Sequence, residues 1–268
     1  SFALVREGKK WGAVNAYGAL IIPTAYDEIG PYTEGYFSVR QGSKWGIIRN
    51  DGSLVVPVSY RKIEPMTADT IIVQDTKDNY GAYDSAGNLL LPVVHRYVSP
   101  FYDGISCVEQ KNKKRVFYRR DGSLLTNDTY EGALPFSEGL AAVTKGKKRS
   151  GFIDTSGAEV IPCTYENAQG FQEGLAAVMV KGKWGFIDKN GAMAIAPQFR
   201  TPYIRSFHEG LAMVKEKKHW AFIDKTGAKV IQTRYEDVDP FDGGLAEVRR
   251  EVKSGSLGGF LFSAVTFA

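Results

Sequence analysis

The chain has 268 residues, of which 43% are hydrophobic and 24% are charged, proportions typical of a globular protein. They argue against disorder and against a coiled coil, and two cysteines are too few for a disulfide framework or a cysteine-rich metal site. The formal net charge of +4 does not by itself indicate nucleic-acid binding. Because no apolar run reaches about 18 residues, an integral membrane protein is disfavoured.

One motif recurs seven times along the chain, with a period of 34 to 36 residues. Its most visible part is a Trp-Gly pair, whose second position falls at residues 12, 46, 81, 116, 151, 185 and 221. A glycine follows six residues later in every copy, and a valine closes the apolar run that precedes the pair. Chance does not hold so many landmarks in register, so the chain is an array of repeats. We interpret the following as structural repeat positions: Trp11, Trp45, Trp184, Trp220, Gly12, Gly46 and Gly185.

Each copy contains the same predicted elements in the same order. In the sixth copy an apolar strand at 175–178 is followed by a Lys/Gly turn at 181–183 and by a second strand at 184–188. An Asp-x-x-Gly turn at 188–191 then leads to a third short strand, which in several copies ends at a proline, as at Pro162. No window keeps a helical period, so we predict a three-stranded antiparallel meander per copy and almost no helix.

A meander of about 35 residues cannot bury its apolar face alone, so neighbouring copies must stack into a continuous core. The sequence therefore predicts an all-β protein of seven tandem meanders. We prefer an open β-solenoid or superhelix, and the alternative is a seven-bladed propeller-like ring. The array is assigned to residues 1–250, where a partial eighth first strand begins at 245–248, and residues 251–268 to a degenerate C-terminal cap or tail.

The phrase Phe-x-Glu-Gly-Leu-Ala-x-Val, followed by Trp-Gly-Phe-Ile-Asp-x-x-Gly, resembles the WG β-repeat (KWG repeat) family of bacterial proteins. Copies three and four depart most from it, since Tyr80 and Arg115 replace Trp and Val116 replaces Gly. The resemblance implies a scaffold of β-repeats, often linked to the envelope or to partner binding, with no catalytic residues. An envelope or secreted location and a cytoplasmic one are both compatible with it. A weaker resemblance to bacterial cell-wall-binding solenoids implies a carbohydrate ligand.

Nothing in the sequence combines into a catalytic or metal site. The three histidines occupy different repeat positions without metal-ligand spacing, and no phosphate-binding glycine loop is present. Cys107 occupies a core position, which favours a buried structural thiol. Paired carboxylates, as at Asp27-Glu28 and Glu236-Asp237, recur with the period and are interpreted as solvated turn charge. We therefore expect no enzyme, no cofactor and no metal.

Positive charge concentrates in the turn between the first two strands of every copy. These seven turns hold 19 Lys and Arg residues against five acidic ones. If the copies stack in register, the turns form one basic ridge. We predict its binding residues to be Lys111, Lys113, Lys114, Arg115, Lys145, Lys147, Lys148, Arg149, Lys217 and Lys218.

Two interpretations of this basic ridge stay open. Lysine-rich turns keep β edges soluble, or they bind another protein or an anionic polymer. Nucleic acid is disfavoured because few aromatic residues interleave with the lysines. We expect a non-catalytic scaffold that binds a protein or polyanion, and the alternative is a carbohydrate-binding envelope module that uses the repeated tryptophans.

Overall fold

The computed structural model describes residues 2–30, 35–147, 149–235, 237–249 and 262–266. Within these ranges every regular element is a β-strand, and no helix occurs. The chain divides into two compact units, residues 1–129 and 130–268, which are described separately.

The first unit contains four antiparallel sheets, in which strands adjacent in sequence are adjacent in space. Sheet one is formed by β1 (Phe2–Glu7), β2 (Lys10–Asn15) and β3 (Leu20–Tyr26). Sheet two is formed by β4 (Glu28–Ile29), β5 (Tyr36–Gln41), β6 (Lys44–Arg49) and β7 (Leu54–Tyr60). Sheet three is formed by β8 (Lys62–Ile63), β9 (Ile71–Gln74), β10 (Tyr80–Tyr83) and β11 (Leu89–His95). Sheet four is formed by β12 (Tyr97–Val98), β13 (Ile105–Glu109) and β14 (Arg115–Arg119).

The second unit contains four more sheets of the same kind. Sheet five is formed by β15 (Gly132–Ala133), β16 (Leu140–Lys145), β17 (Arg149–Asp154) and β18 (Glu159–Tyr165). Sheet six is formed by β19 (Asn167–Ala168), β20 (Ala176–Val180), β21 (Lys183–Ile187) and β22 (Met193–Phe199). Sheet seven is formed by β23 (Ile204–His208), β24 (Leu211–Glu216), β25 (His219–Ile223) and β26 (Lys229–Gln232). Sheet eight is formed by β27 (Asp237–Val238), β28 (Leu245–Arg249) and β29 (Phe262–Thr266).

The predicted class, all-β tandem meanders, is confirmed. The third strand does not end at the proline as predicted: β18 continues through Pro162 to Tyr165, because a register shift opposite the proline removes the need for its N–H. The structure also adds two features. A leading strand, only two residues long in most sheets, precedes the three predicted strands, as Glu28–Ile29 precedes β5. The partial eighth copy also forms a sheet, because β28 pairs with both β27 and β29. The open or ring-like arrangement and the boundary at residue 250 stay predictions, and residues 250–261, 267 and 268 lie outside the described residues.

The glycine of the Trp-Gly pair is required by a close approach of the third strand. In sheet six the pairing steps from Trp184↔Phe199 to Phe186↔Ile195, so the third strand bulges beside Gly185. A Cβ at Gly185 would lie 2.5 Å from the carbonyl oxygen of Ile195. The repeat therefore keeps a glycine wherever it forms a long third strand against the second.

The two copies without this glycine confirm the relation. Ala221 replaces it in sheet seven, where the third strand has four residues, against seven for β22. Val116 replaces it in sheet four, where only an isolated bridge between Tyr118 and Leu124 remains. A side chain at this position thus shortens or removes the third strand.

The core of the second unit is built from repeated aromatic pairs between neighbouring sheets. Each pair joins a phenylalanine of a central strand to one that lies just before the first central strand of the next sheet. Among the described residues, three such pairs have ring centroids 4.9 Å apart: Phe152–Phe171, Phe186–Phe207 and Phe222–Phe241. Such pairs contribute about 0.5–1.5 kcal/mol beyond the burial of their area.

Candidate basic binding surface

In sheets one to seven the lysine-rich segments form the hairpin turns between the two central strands, as predicted. In sheet four this turn joins β13 to β14. Lys113 has φ = 66°, and its N–H donates to the carbonyl of Gln110 at 2.9 Å, which fixes the turn. Lys111 and Lys113 are exposed. Their ammonium groups are therefore presented to solvent from a defined backbone.

Arg115 lies in the same turn region but is engaged within the first unit. Its guanidinium pairs with the Glu109 carboxylate at 2.7 Å and lies 5.1 Å from the ring of Tyr97. Glu109 also accepts from Arg96 at 3.2 Å. Lys114, next to Arg115, is only partly exposed. The predicted set in sheet four thus separates into two exposed lysines and two more enclosed side chains.

The turn of sheet five shows the same separation in the second unit. Lys145 pairs with Glu159 at 2.8 Å and lies 5.8 Å from the ring of Tyr130. Lys147 and Arg149 are exposed, whereas Lys148 lies outside the described residues. Only part of the predicted positive charge is therefore presented without a nearby acid.

Carboxylates missed by the sequence analysis hold these turns. The N–H of Gly146 donates to Glu131 at 3.0 Å, and the N–H of Gly182 donates to Glu166 at 3.1 Å. Each acid directly follows the repeated aromatic residue and lies against the hairpin turn of the sheet that it precedes. The carboxylate gives a backbone N–H of the turn a hydrogen-bond acceptor, and its negative charge offsets the positive charge of one lysine.

Asp27 occupies the same repeat position, and it is not simply solvated charge as interpreted above. Its carboxylate pairs with Lys10 at 2.7 Å and accepts the N–H of Gly42 at 2.7 Å. These two donors, Lys10 first, hold the pKa of Asp27 below its usual range. Glu28 pairs with Arg40 at 2.9 Å, and Glu236, the corresponding residue of the last copy, lies outside the described residues.

In sheet seven an arginine takes the place of that acid, as in sheets three and four, but here it lies beside a turn that carries two lysines. Arg200 lines a recess together with Lys217, Lys218 and His219 of the hairpin turn. The cavity measures about 710 Å³, and the remaining lining residues are Glu216 and Gln232. Within the described residues, Arg200, Lys217 and Lys218 make no ion pair.

The one acid among the lining residues of this recess is already engaged. The Glu216 carboxylate pairs with Lys229 at 2.6 Å. The recess therefore places three permanent positive charges and a histidine in one concavity, where a surface of one sign focuses the electrostatic field. Lys217 and Lys218 were predicted, whereas Arg200 was missed because it belongs to the segment before the sheet.

The repeated tryptophans have two different environments. Trp184 and Trp220 are only 4% and 5% exposed, so they pack in the core of the second unit. Trp11 and Trp45 are half-buried, and the guanidinium groups of Arg6 and Arg40 lie over their rings at 5.6 Å. A continuous ladder of exposed indoles is therefore not formed by these four residues.

The described part of the chain also contains residues of the types that bind metals or react as thiols. Among those residues no group of three or more His, Cys, Asp or Glu side chains could hold a metal ion. Cys107 is fully buried, and burial raises the pKa of its thiol to about 11, as expected for a structural cysteine. None of the described residues forms a helix long and apolar enough to cross a membrane.

Tandem antiparallel meanders with a Trp-Gly pair, or a variant of it, at the same position of each repeat define a β-repeat scaffold protein. The model of the family described as "WG containing repeat" matches residues 11–45, 80–113, 121–148, 151–184, 184–218 and 220–251. These segments cover well over half of the chain, so it belongs to the WG-repeat family, as the sequence resemblance predicted.

Comparison with solved structures shows the same kind of fold at low sequence identity. The computationally designed Ika8 protein is 12% identical, with 91% of each chain covered and a TM-score of 0.52. A eukaryotic initiation factor is 12% identical, with 92% of this chain and 78% of that chain covered and a TM-score of 0.52. BamB from Moraxella catarrhalis is 10% identical, with 82% and 78% covered and a TM-score of 0.48. No curated protein matches the chain in sequence.

Proposed function

We propose that this WG-repeat protein is a non-catalytic scaffold that binds an anionic polymer, or an acidic protein face, through its basic hairpin turns. The observation that carries the proposal is the recess of sheet seven, in which Arg200, Lys217, Lys218 and His219 surround one cavity. Membership of a repeat family supports the scaffold role. The exposed Lys111, Lys113, Lys147 and Arg149 supply further basic turns on the two units.

The recess suits an anion because two of its three cationic side chains, Lys217 and Lys218, lie on a hairpin turn. β24 and β25 pair over five consecutive residue pairs, ending at Glu216↔His219, so the turn is held by a continuous ladder. A ligand that binds there loses less free energy in ordering the protein than one that binds a flexible loop. A multivalent anion also releases counterions from itself, which makes its binding depend on salt.

The test is a binding titration of the full chain with heparin and, separately, with poly-glutamate over a series of NaCl concentrations. We expect affinity to fall linearly with the logarithm of the salt concentration. The variants Arg200→Glu and Lys218→Glu should each weaken binding about tenfold or more, equivalent to about 1.4 kcal/mol.

Lys77→Glu is the matched control. Lys77 is exposed on the corresponding turn of sheet three, where Asp75 and Asp78 flank it, so its reversal should leave affinity nearly unchanged. If the wild-type protein shows no salt-dependent binding, the basic turns serve only solubility. If Lys218→Glu and Lys77→Glu lose the same affinity, the recess is not the binding site.

The carbohydrate alternative requires indole faces that a sugar ring can reach. Burial of Trp184 and Trp220 removes two of the four repeated tryptophans from that role. Glycan titration followed by tryptophan fluorescence distinguishes the two functions. The scaffold proposal predicts no change in emission, whereas a sugar platform at Trp11 or Trp45 would produce quenching or a spectral shift.

A further inference from the structure

A second cavity lies in the first unit, between sheets two and three. Its lining is mainly apolar, whereas that of the basic recess is cationic. It measures about 510 Å³. Its apolar lining includes Trp45, Ile47, Ile63, Met66 and Ile71. The cavity is partly open to solvent, so a ligand can enter it from the surface.

The repeat period shows which side chains are missing from this place. Ile47 lies two residues after Trp45, just as Phe186 lies two residues after Trp184. Met66 lies in the segment before β9. Phe207 lies at the equivalent position of the repeat, before β24 in sheet seven. Phe186 and Phe207 form an aromatic pair with centroids 4.9 Å apart, and both are almost completely buried. The cavity thus lies where the corresponding core of the second unit contains two phenyl rings.

The exposure of the tryptophan beside the cavity also differs between the two units. Trp184 is 4% exposed and belongs to the core cluster of Phe186 and Phe207. Trp45, at the equivalent position, is only half-buried. The aliphatic replacements therefore leave part of an indole uncovered inside an apolar concavity.

We propose that this cavity binds a small molecule through a planar aromatic ring, which takes the place of the phenyl pair found in the second unit. The volume is within the range of about 300–1,000 Å³ that is usual for small-molecule sites. In the second unit two aromatic rings occupy this position beside Leu175 and Ala212, for which the first unit has Tyr36 and Ile71. Lys62 and Glu64, which pair with each other at 3.2 Å, add the polar groups on the exposed side of the cavity.

The test uses N-phenyl-1-naphthylamine, a neutral aromatic probe whose emission rises in apolar surroundings, with the full chain. We expect saturable binding, with energy transfer from Trp45 to the probe. Met66→Phe combined with Ile47→Phe rebuilds the phenyl pair of the second unit and should weaken binding about tenfold or more. Met66→Leu nearly conserves volume and should leave the affinity within about twofold.

Two further measurements keep the outcome unambiguous. Urea unfolding of the double variant must show a midpoint no lower than that of wild type, and Ile47→Val/Met66→Leu serves as the control if the double variant does not fold. Trp45→Phe should keep probe binding while losing much of the sensitised emission. Absence of saturable binding in wild type, or undiminished binding in the folded double variant, overturns the proposal. Because the probe is neutral, Lys218→Glu should not affect it, so this result is separable from that of the basic recess.

Discussion

Replacement of Gly185 by alanine is expected to destabilise the second unit and to unpair the end of β22. A Cβ at this position would lie 2.5 Å from the oxygen of Ile195, 2.8 Å from the nitrogen of Pro197 and 3.0 Å from the carbonyl carbon of Ala196. All three atoms belong to the backbone of the neighbouring strand. No side-chain rotation can therefore relieve the contact, and the strand itself must move.

The size of the destabilisation can be estimated from the free-energy cost of placing a methyl group in a packed site. Overpacking of this kind costs about 1–3 kcal/mol, and the backbone contacts place Gly185→Ala in the upper half of that range. The protein also shows the structural result. Where Ala221 occupies the position, the third strand keeps only four residues, so we expect β22 to retain a similar length.

Urea unfolding and amide hydrogen exchange measure the two effects. Gly170→Ala is the matched control, because a Cβ at Gly170 would have no atom within 4 Å and the residue belongs to the same unit. Its unfolding midpoint should equal or slightly exceed that of wild type. The steric explanation fails if both variants unfold at the same urea concentration, or if exchange at the amides of 198 and 199 stays slow in Gly185→Ala.

Three further outcomes are expected. Glu173→Gln should lower the free energy of unfolding by about 1 kcal/mol, because this carboxylate accepts the N–H of Gly210 at 3.0 Å and pairs with Lys225 at 3.2 Å; urea titration measures it, and an unchanged midpoint would contradict it. The Ser156 hydroxyl first of all lowers the pKa of Asp154, so its stabilising effect is present above about pH 4 and is lost as pH falls through the folded-state value; the unfolding midpoint of Asp154→Asn should therefore depend less on pH than that of wild type. Acrylamide should quench the two half-buried tryptophans and spare the two buried ones, and uniform quenching would refute the assigned burial.

The strands could be predicted from the sequence because their signals are local. Short apolar runs, a glycine at each tight turn and a fixed period identify the main strands of the copies, except that the third strand of the fourth copy is reduced to an isolated bridge. The leading strands could not be found in the same way. A segment as short as Glu28–Ile29 carries no pattern, and it is a strand only because β5 lies beside it.

The candidate site was predicted in part, for a similar reason. Lysines of a hairpin turn are neighbours in sequence, so their clustering is visible without a structure. The residues that modify their charge come from elsewhere: Glu159 is 14 positions from Lys145, and Arg200 lies before its sheet. The sequence does contain a signal for residues such as Arg200, because the residue after the repeated aromatic is charged in every copy.

That residue decides how basic each turn is. Where it is arginine, it usually meets an acid of its own turn, as Arg61 meets Asp78 at 2.8 Å and Arg96 meets Glu109 at 3.2 Å. Where it is acidic, as at Glu131, it bonds a glycine amide of a lysine turn. In both arrangements opposite charges are brought together.

Arg200 is the exception, because the arginine there faces a turn that carries two lysines, and its one acid is engaged by Lys229. The number of lysines alone predicts the strongest anion site at the turns of sheets four and five. When the charge of the residue after the repeated aromatic is included, sheet seven is favoured instead. Arg200→Glu restores the arrangement found at the lysine turns of sheets five and six without removing a lysine. It should therefore weaken anion binding about tenfold or more while leaving the fold intact. If the lysines only keep the protein soluble, the same variant should leave anion binding unchanged.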